Sequence, residues 1–69
     1  MSSIHIILNG ERREIAGTIT IDQILELFSL PKQRIAVELN NAVLRRKDWP
    51  ITKAHDGDKL EIVHFVGGG

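Results

Sequence analysis

The chain begins with two short segments whose apolar and polar residues predict a β-hairpin. Residues 4–8 are apolar and largely β-branched except for His5, and Asn9-Gly10 follows them. This dipeptide favours a tight two-residue turn because both positions tolerate positive φ. Glu11–Ala16 is predicted to return as a second strand. Because only its last two residues are apolar, we expect it at an edge of the sheet.

The next segment has the pattern of one short amphipathic helix. Thr20 and Gln23 have the spacing of a capping box, in which each side chain satisfies a backbone N–H group at the helix start. The helix should end by Leu30, because Pro31 disfavours helical geometry in the residue before it. The apolar residues between these limits follow the i, i+3, i+4, i+7 spacing of one helical face: Ile21, Ile24, Leu25 and Phe28.

Three further strands are predicted in the second half of the chain. Residues 34–39 alternate, residues 43–44 follow a possible tight turn, and residues 59–66 are the clearest strand of all. The segment 49–51 is expected to lay Trp49 and Ile51 over one end of the core.

This order of elements favours an α+β fold, with a mixed sheet of four to five strands packed on one short helix. The first and last strands are expected to pair in parallel, since the helix supplies the long crossover that parallel pairing requires. The side chains predicted to be buried on these two strands are Ile6, Leu8, Leu60 and Ile62.

Composition narrows the range of functions. The chain has 69 residues, enough for one small domain, with nine basic and nine acidic residues and no cysteine. A neutral balance argues against general binding to nucleic acid or to an anionic membrane. The lack of cysteine excludes a disulfide scaffold, a thiolate metal site and a cysteine nucleophile. The N-terminus has no features of a signal peptide and no apolar run is long enough to span a membrane, so we expect a cytoplasmic protein.

The last three residues are the main candidate for chemistry. Gly67, Gly68 and Gly69 directly follow the apolar final strand. A tail without side chains adds nothing to a core, but it can enter a channel too narrow for a Cβ atom. We therefore predict a folded domain over residues 1–66 and a flexible tail over residues 67–69, with the carboxylate of Gly69 as the reactive group. The alternative is a frayed chain end without function.

A second candidate site is the surface beside this tail. If Leu60 and Ile62 face the core, alternation places Val63 and Phe65 on the opposite face of the sheet. Ile7 on the parallel first strand is expected to join them in a partner-binding patch. His5 and His64 could lie close together on adjacent strands, but no further ligands complete a zinc site, so no metal is expected.

The whole pattern resembles the ubiquitin-like β-grasp family. Within it, the chain looks like a member of the ThiS family of bacterial sulfur carriers in thiamine biosynthesis. The segments that carry this resemblance are residues 6–9, Gly17, residues 20–25, residues 39–45, Trp49, residues 56–58 and, most strongly, residues 62–69.

The resemblance implies a protein co-substrate, not an enzyme, with no bound cofactor. An E1-like (ThiF-like) activating enzyme would use ATP to adenylate the carboxylate of Gly69, which would then become a thiocarboxylate. The sulfur would come indirectly from a cysteine desulfurase and pass to a ThiG-like thiazole synthase. Gly68 would sit next to Gly69 in the paired-glycine ending, and Gly67 would extend the reach of the tail.

Three alternatives stay open at this stage. The chain could carry sulfur for molybdopterin synthesis, like the MoaD-type small subunit of molybdopterin synthase. It could be a ubiquitin-like modifier that forms isopeptide bonds to lysines. It could also be a binding module in which the glycines have no role. The sequence does not decide whether the basic segment 45–47 contacts a partner.

Overall fold

The computed structural model describes residues 2–65 of the chain, and these form one sheet, one α-helix and a short 3₁₀ helix. The elements in chain order are β1 (Ser3–Leu8), β2 (Glu11–Ala16), α1 (Ile21–Leu27), β3 (Ile35–Leu39), β4 (Ala42–Leu44), the 3₁₀ helix (Arg46–Ile51) and β5 (Lys59–His64). The predicted hairpin, helix and later strands are therefore confirmed.

The five strands lie side by side in the order β2-β1-β5-β3-β4. Only the β1–β5 pair is parallel, as predicted, and the other neighbours are antiparallel. The last strand in sequence is thus the central strand of the sheet, and β2 is at an edge as expected. This mixed sheet with one short helix confirms the predicted α+β fold.

Both hairpins turn at residues in the left-handed region. Asn9 and Gly10 have φ of 49° and 84°, and Asn40 and Asn41 have φ of 53° and 71°. Asparagine tolerates this conformation better than most residues because its short polar side chain can hydrogen-bond locally. The two turns fix which residues of the flanking strands face each other.

The helix begins with the predicted capping box. The amide of Gln23 donates to the Thr20 hydroxyl, and the amide of Thr20 donates to the Gln23 side chain at 2.9 Å.

The apolar stripe of the helix packs on one face of the sheet and forms the core with strand side chains. The buried residues are Ile6, Leu8, Ile15, Ile21, Ile24, Leu25, Ile35, Val37, Trp49, Ala54 and Leu60. Ile62 is partly buried and packs against this cluster.

Two sequence predictions in this region are wrong. Trp49 is buried, but Ile51 is 75% exposed and does not cover the core. The cause is the 3₁₀ helix, in which side chains three residues apart eclipse each other. Arg46 accordingly lies over the Trp49 ring at 4.6 Å, while Ile51 points elsewhere. The last strand ends at His64 rather than continuing through residue 66, and residue 66 itself lies outside the described residues.

No helix in residues 2–65 is long and apolar enough to cross a membrane.

Candidate functional site

The strand that leads to the glycines is held mainly from one side. β5 pairs with β3 over five residue pairs, from Leu39↔Leu60 to Ile35↔His64. Its pairing with β1 covers only Ile7↔Lys59 and Leu8↔Leu60. The second half of β5 therefore extends past the end of β1, and its backbone groups on that side need other partners.

The side chain of Asn9 supplies one of these partners. The side-chain oxygen Oδ1 accepts a hydrogen bond from the backbone amide of Ile62 at 2.8 Å. The backbone amide of Asn9 donates to the carbonyl of Leu60 at 2.9 Å. Asn9 thus continues the pairing of β1 with β5 by one further step. The sequence predicted Asn9 only as a turn residue, and nothing in the local pattern shows this contact.

Asn40 plays the matching role on the other side of β5. Its Oδ1 accepts from the amide of Lys59 at 2.9 Å, and its Nδ2 donates to a carboxylate oxygen of Asp58 at 3.0 Å. The two turn asparagines therefore fix the beginning and the middle of β5. At its end, the amide of Phe65 donates to the carbonyl of Arg34 at 3.0 Å. The chain is held by hydrogen bonds up to two residues before the first glycine of the tail.

The predicted reactive residues Gly67, Gly68 and Gly69 lie outside the described residues. Their roles remain predictions from sequence, as does the boundary between a domain over residues 1–66 and a tail over residues 67–69.

The predicted partner-binding residues are only partly brought together. Val63 is 48% and Phe65 is 51% exposed, as expected for the face of the sheet away from α1, hereafter the outer face. Ile7 is on the same face but half-buried, and it pairs with Lys59, four residues before Val63. At about 3.3 Å per residue this offset is roughly 13 Å along the strand. Ile7 therefore lies on the same face as Val63 but near the start of β5, and its role in partner binding stays a prediction.

Further residues of the outer face lie on the side of β5 opposite to β1. Ala36 pairs with Val63 on the neighbouring strand, and Val43, which pairs with Glu38, is 69% exposed. The sequence alone does not predict either contact, because each depends on the register of β3 with its two neighbours. The alternation within one strand gives the face of a residue but not its position along the sheet.

The two strand histidines do not form a site. The carbonyl of His5 accepts from the amide of Gly57, before the start of β5, whereas His64 is the last residue of that strand. Seven residues of extended chain correspond to roughly 23 Å. Within residues 2–65 there is no group of three or more side chains that could hold a metal ion.

Comparison with known proteins identifies the family of this chain. The model of the ThiS family matches residues 6–69, nearly the whole chain, including all three terminal glycines. The chain belongs to the ThiS family. The fold agrees, because the crystal structure of the thiamine biosynthesis protein ThiS from Geobacter metallireducens superposes with a TM-score of 0.84 at 29% sequence identity. That match covers 96% of this chain and 100% of the Geobacter chain.

Two kinds of protein are similar to this chain in sequence. The sulfur carrier protein ThiS of Thermus thermophilus is 34% identical over 62 residues, which are 90% of this chain and 95% of the relative. A thiazole synthase of Paramagnetospirillum magneticum is 34% identical over 64 residues. These are 93% of this chain, but the chain spans only about a fifth (20%) of the length of that enzyme. A unit similar to this chain is thus one part of a longer thiazole synthase polypeptide.

Proposed function

We propose that this protein is a sulfur carrier in thiazole formation for thiamine biosynthesis, with the sulfur carried as a thiocarboxylate on Gly69. The observation that supports this most is the family match, which continues through residue 69 and so includes the glycine ending. The names of the relatives point the same way, because one is a sulfur carrier and another is a thiazole synthase.

The proposed chemistry begins with a poor electrophile. A carboxylate oxygen of Gly69 attacks the α-phosphate of ATP, pyrophosphate leaves, and the resulting acyl-adenylate is a reactive mixed anhydride. A sulfur nucleophile derived from a cysteine desulfurase then attacks the acyl carbon and AMP leaves. This nucleophile is a persulfide, so the product is an acyl disulfide. A thiol then attacks the donor sulfur, the S–S bond breaks, the thiocarboxylate leaves, and the thiol and the donor remain joined as a disulfide. An E1-like, ThiF-like enzyme performs the activation, and a ThiG-like thiazole synthase accepts the sulfur.

In this scheme the carrier positions its terminal carboxylate, and the partner enzymes perform the catalysis. Correct placement of reacting groups can supply ~7–11 kcal/mol of a barrier. The hydrogen bonds along β5 fix the chain as far as Phe65, so a bound partner would locate the start of the tail accurately. Gly68 and Gly69 then enter the active site of the partner, where a Cβ atom would clash, and Gly67 extends the reach. The carrier is thus a protein co-substrate and not an enzyme.

Recognition by these partners requires an exposed surface near the tail. We place it on the outer face around Val63 and Phe65, with Ala36 and Val43 on the neighbouring strands β3 and β4. Aromatic side chains are enriched at the centres of protein interfaces, and a half-exposed Phe65 beside the tail fits that role.

The test is intact-mass analysis of the protein after incubation with ATP, a cognate activating enzyme and a sulfur donor. We expect one oxygen-for-sulfur exchange, located by fragmentation to Gly69. Thiazole synthase with its small substrates should then remove the sulfur, whereas a molybdopterin precursor with its synthase should not. If the wild-type protein never exchanges oxygen for sulfur, the carrier proposal is wrong.

A glycine variant tests the role of the tail separately. Gly68→Val should fold like the wild type and fail to be adenylated, because its side chain blocks the channel. Gly67→Val is the matched control, since it adds the same side chain one residue further from the carboxylate and should retain more activity. Normal adenylation of Gly68→Val would remove the channel argument while leaving the carrier role in place.

A further inference from the structure

Two glutamates face each other on the outer face of the sheet. Glu38 of β3 and Glu61 of β5 are register partners in an antiparallel pair, so their side chains lie on the same face with Cβ atoms about 5 Å apart. Both are half-buried. Like charges directly opposite each other on a sheet destabilise it.

No side chain of the described chain compensates this pair. The ion pairs among residues 2–65 lie elsewhere, at Arg13–Glu11, Lys32–Asp22, Lys32–Glu26 and His55–Asp58. Lys59 precedes Glu61 by two residues on the same face but forms no ion pair with it. The folded protein therefore keeps two adjacent negative charges at the centre of its exposed sheet.

The surrounding residues form three ordered rows across this face. The acidic row consists of Glu61 and Glu38. The next row towards the C-terminus is apolar and consists of Val63 and Ala36. The third row holds Arg34, whose carbonyl accepts from the amide of Phe65. Arg45 follows the Leu44 partner of Val37 and is therefore level with Ala36, so it flanks the apolar row. Lys59 lies on the other side of the acidic row, two residues before Glu61.

We propose that this face is the docking surface for a thiazole synthase, and that an arginine or lysine of the enzyme binds between Glu38 and Glu61. Apolar side chains of the enzyme would cover Val63 and Ala36 in the same complex. A guanidinium fits best, because its planar fork of donors can bind both carboxylates at once. This inference rests on the proposed function, and it adds the residues that recognise the acceptor and the charge that the acceptor must present.

The choice of partner comes from the longer relatives. Units similar to this chain are parts of thiazole synthases from Paramagnetospirillum magneticum and Magnetococcus marinus, of which they make up 20% and 19%. A carrier unit and a thiazole synthase that share one polypeptide have a high effective concentration for each other, which favours their contact.

The acid pair then has opposite effects on folding and on binding. In the free protein the two charges repel each other. In the complex one cation offsets both of them. Replacing either glutamate with glutamine should therefore leave the fold equally stable or more stable, and should weaken the complex. A residue with only a structural role would not show this combination.

The experiment measures binding of the full chain to a cognate thiazole synthase by calorimetry at low and high salt. Glu38→Gln and Glu61→Gln should each weaken binding about tenfold at low salt, as expected for close charge pairs at an interface. Both variants should also reduce the salt dependence. Glu14→Gln is the matched control, because Glu14 lies on the same face of β2 at the far edge of the sheet, and it should bind like the wild type. Phe65→Ala should weaken binding without changing the salt dependence.

Urea unfolding of each variant completes the design. An unfolding midpoint at or above that of the wild type, together with weaker binding, supports the inference. Wild-type affinity and salt dependence in both glutamine variants would overturn it, even when the wild-type protein is thiocarboxylated normally. A wild-type protein that becomes thiocarboxylated but does not bind thiazole synthase would also overturn it. Absence of thiocarboxylation would instead remove the proposed function.

Discussion

Replacement of Asn9 should separate two contributions to the stability of β5. The residue occupies a left-handed turn position, with φ of 49°, and its side chain accepts from the amide of Ile62. Asn9→Ala removes the hydrogen bond. It also forces alanine into the left-handed region, where it lacks the polar side chain that makes this conformation tolerable for asparagine. Asn9→Gly removes the hydrogen bond but keeps the turn conformation accessible. Asn9→Asp keeps both a carboxylate acceptor and a tolerance for positive φ.

The expected losses follow from these two terms. A hydrogen bond of this kind contributes about 0.5–1.5 kcal/mol, and the left-handed conformation costs an alanine about 1–2 kcal/mol. Asn9→Ala should therefore lower the free energy of unfolding by about 2–3 kcal/mol, and Asn9→Gly by about 1 kcal/mol. A domain of this size loses about 4–8 °C in Tm per kcal/mol, so the alanine variant should melt roughly 10–20 °C below the wild type.

Urea unfolding gives the free energies, and amide hydrogen exchange locates the effect. The amide of Ile62 should exchange faster in the alanine and glycine variants, while the amides of β3 that pair with β5 should keep their protection. The Asp variant is the control and should differ little from the wild type. If Asn9→Gly is as stable as the wild type and the Ile62 amide keeps its protection, the side-chain contact does not support β5.

The remaining predictions concern the core cover and the surface charges. Trp49→Ala should lower the free energy of unfolding by about 3–5 kcal/mol because the ring is buried. Ile51→Ala, two residues away, should change it by less than about 0.5 kcal/mol. Equal losses for the two variants in urea unfolding would contradict the 3₁₀ geometry. The pKa of Lys32 is raised by hydrogen bonds to Glu26 and then Asp22, with Nζ–carboxylate distances of 2.9 and 3.1 Å. A raised pKa means that this contribution is complete below the ordinary lysine value of about 10.4 and is lost at higher pH. Lys32→Gln should therefore show a smaller decline in Tm between neutral and strongly alkaline pH than the wild type, and identical declines would refute the assignment.

Local sequence signals were sufficient for the elements of this fold. Asn9-Gly10 specified the first hairpin, and the pairing of Thr20 with Gln23 specified the helix start, because the contacts in each case span only a few residues. The alternation of β5 also identified Val63 and Phe65 as outward-facing. These signals act within one segment, so they can be read without knowing which strands are neighbours.

The composition of the outer face could not be predicted in the same way. The juxtaposition of Glu38 with Glu61, and of Ala36 with Val63, depends on the register between strands more than 20 residues apart in sequence. The distance of Ile7 from Val63 could not be predicted for the same reason, since β1 reaches only the first part of β5. Ile51 was misplaced because an apolar residue beside a buried tryptophan looks like core until the local helix type is known.

The short contact between β1 and β5 has a mechanical consequence. β1 and β5 are the first and last strands in sequence, and they are parallel. A force that pulls the two chain ends apart would therefore shear the hydrogen bonds between them all at once instead of opening them one by one. On the β1 side of β5 itself, two residue pairs and the Asn9 side chain share that load, and His5 adds bonds to Asp56 and Gly57 before the strand begins. The five pairs with β3 take the rest. A protease or unfolding machine that grips the glycine end would meet its main resistance at β3, and the rate of forced unfolding should depend on that pair of strands.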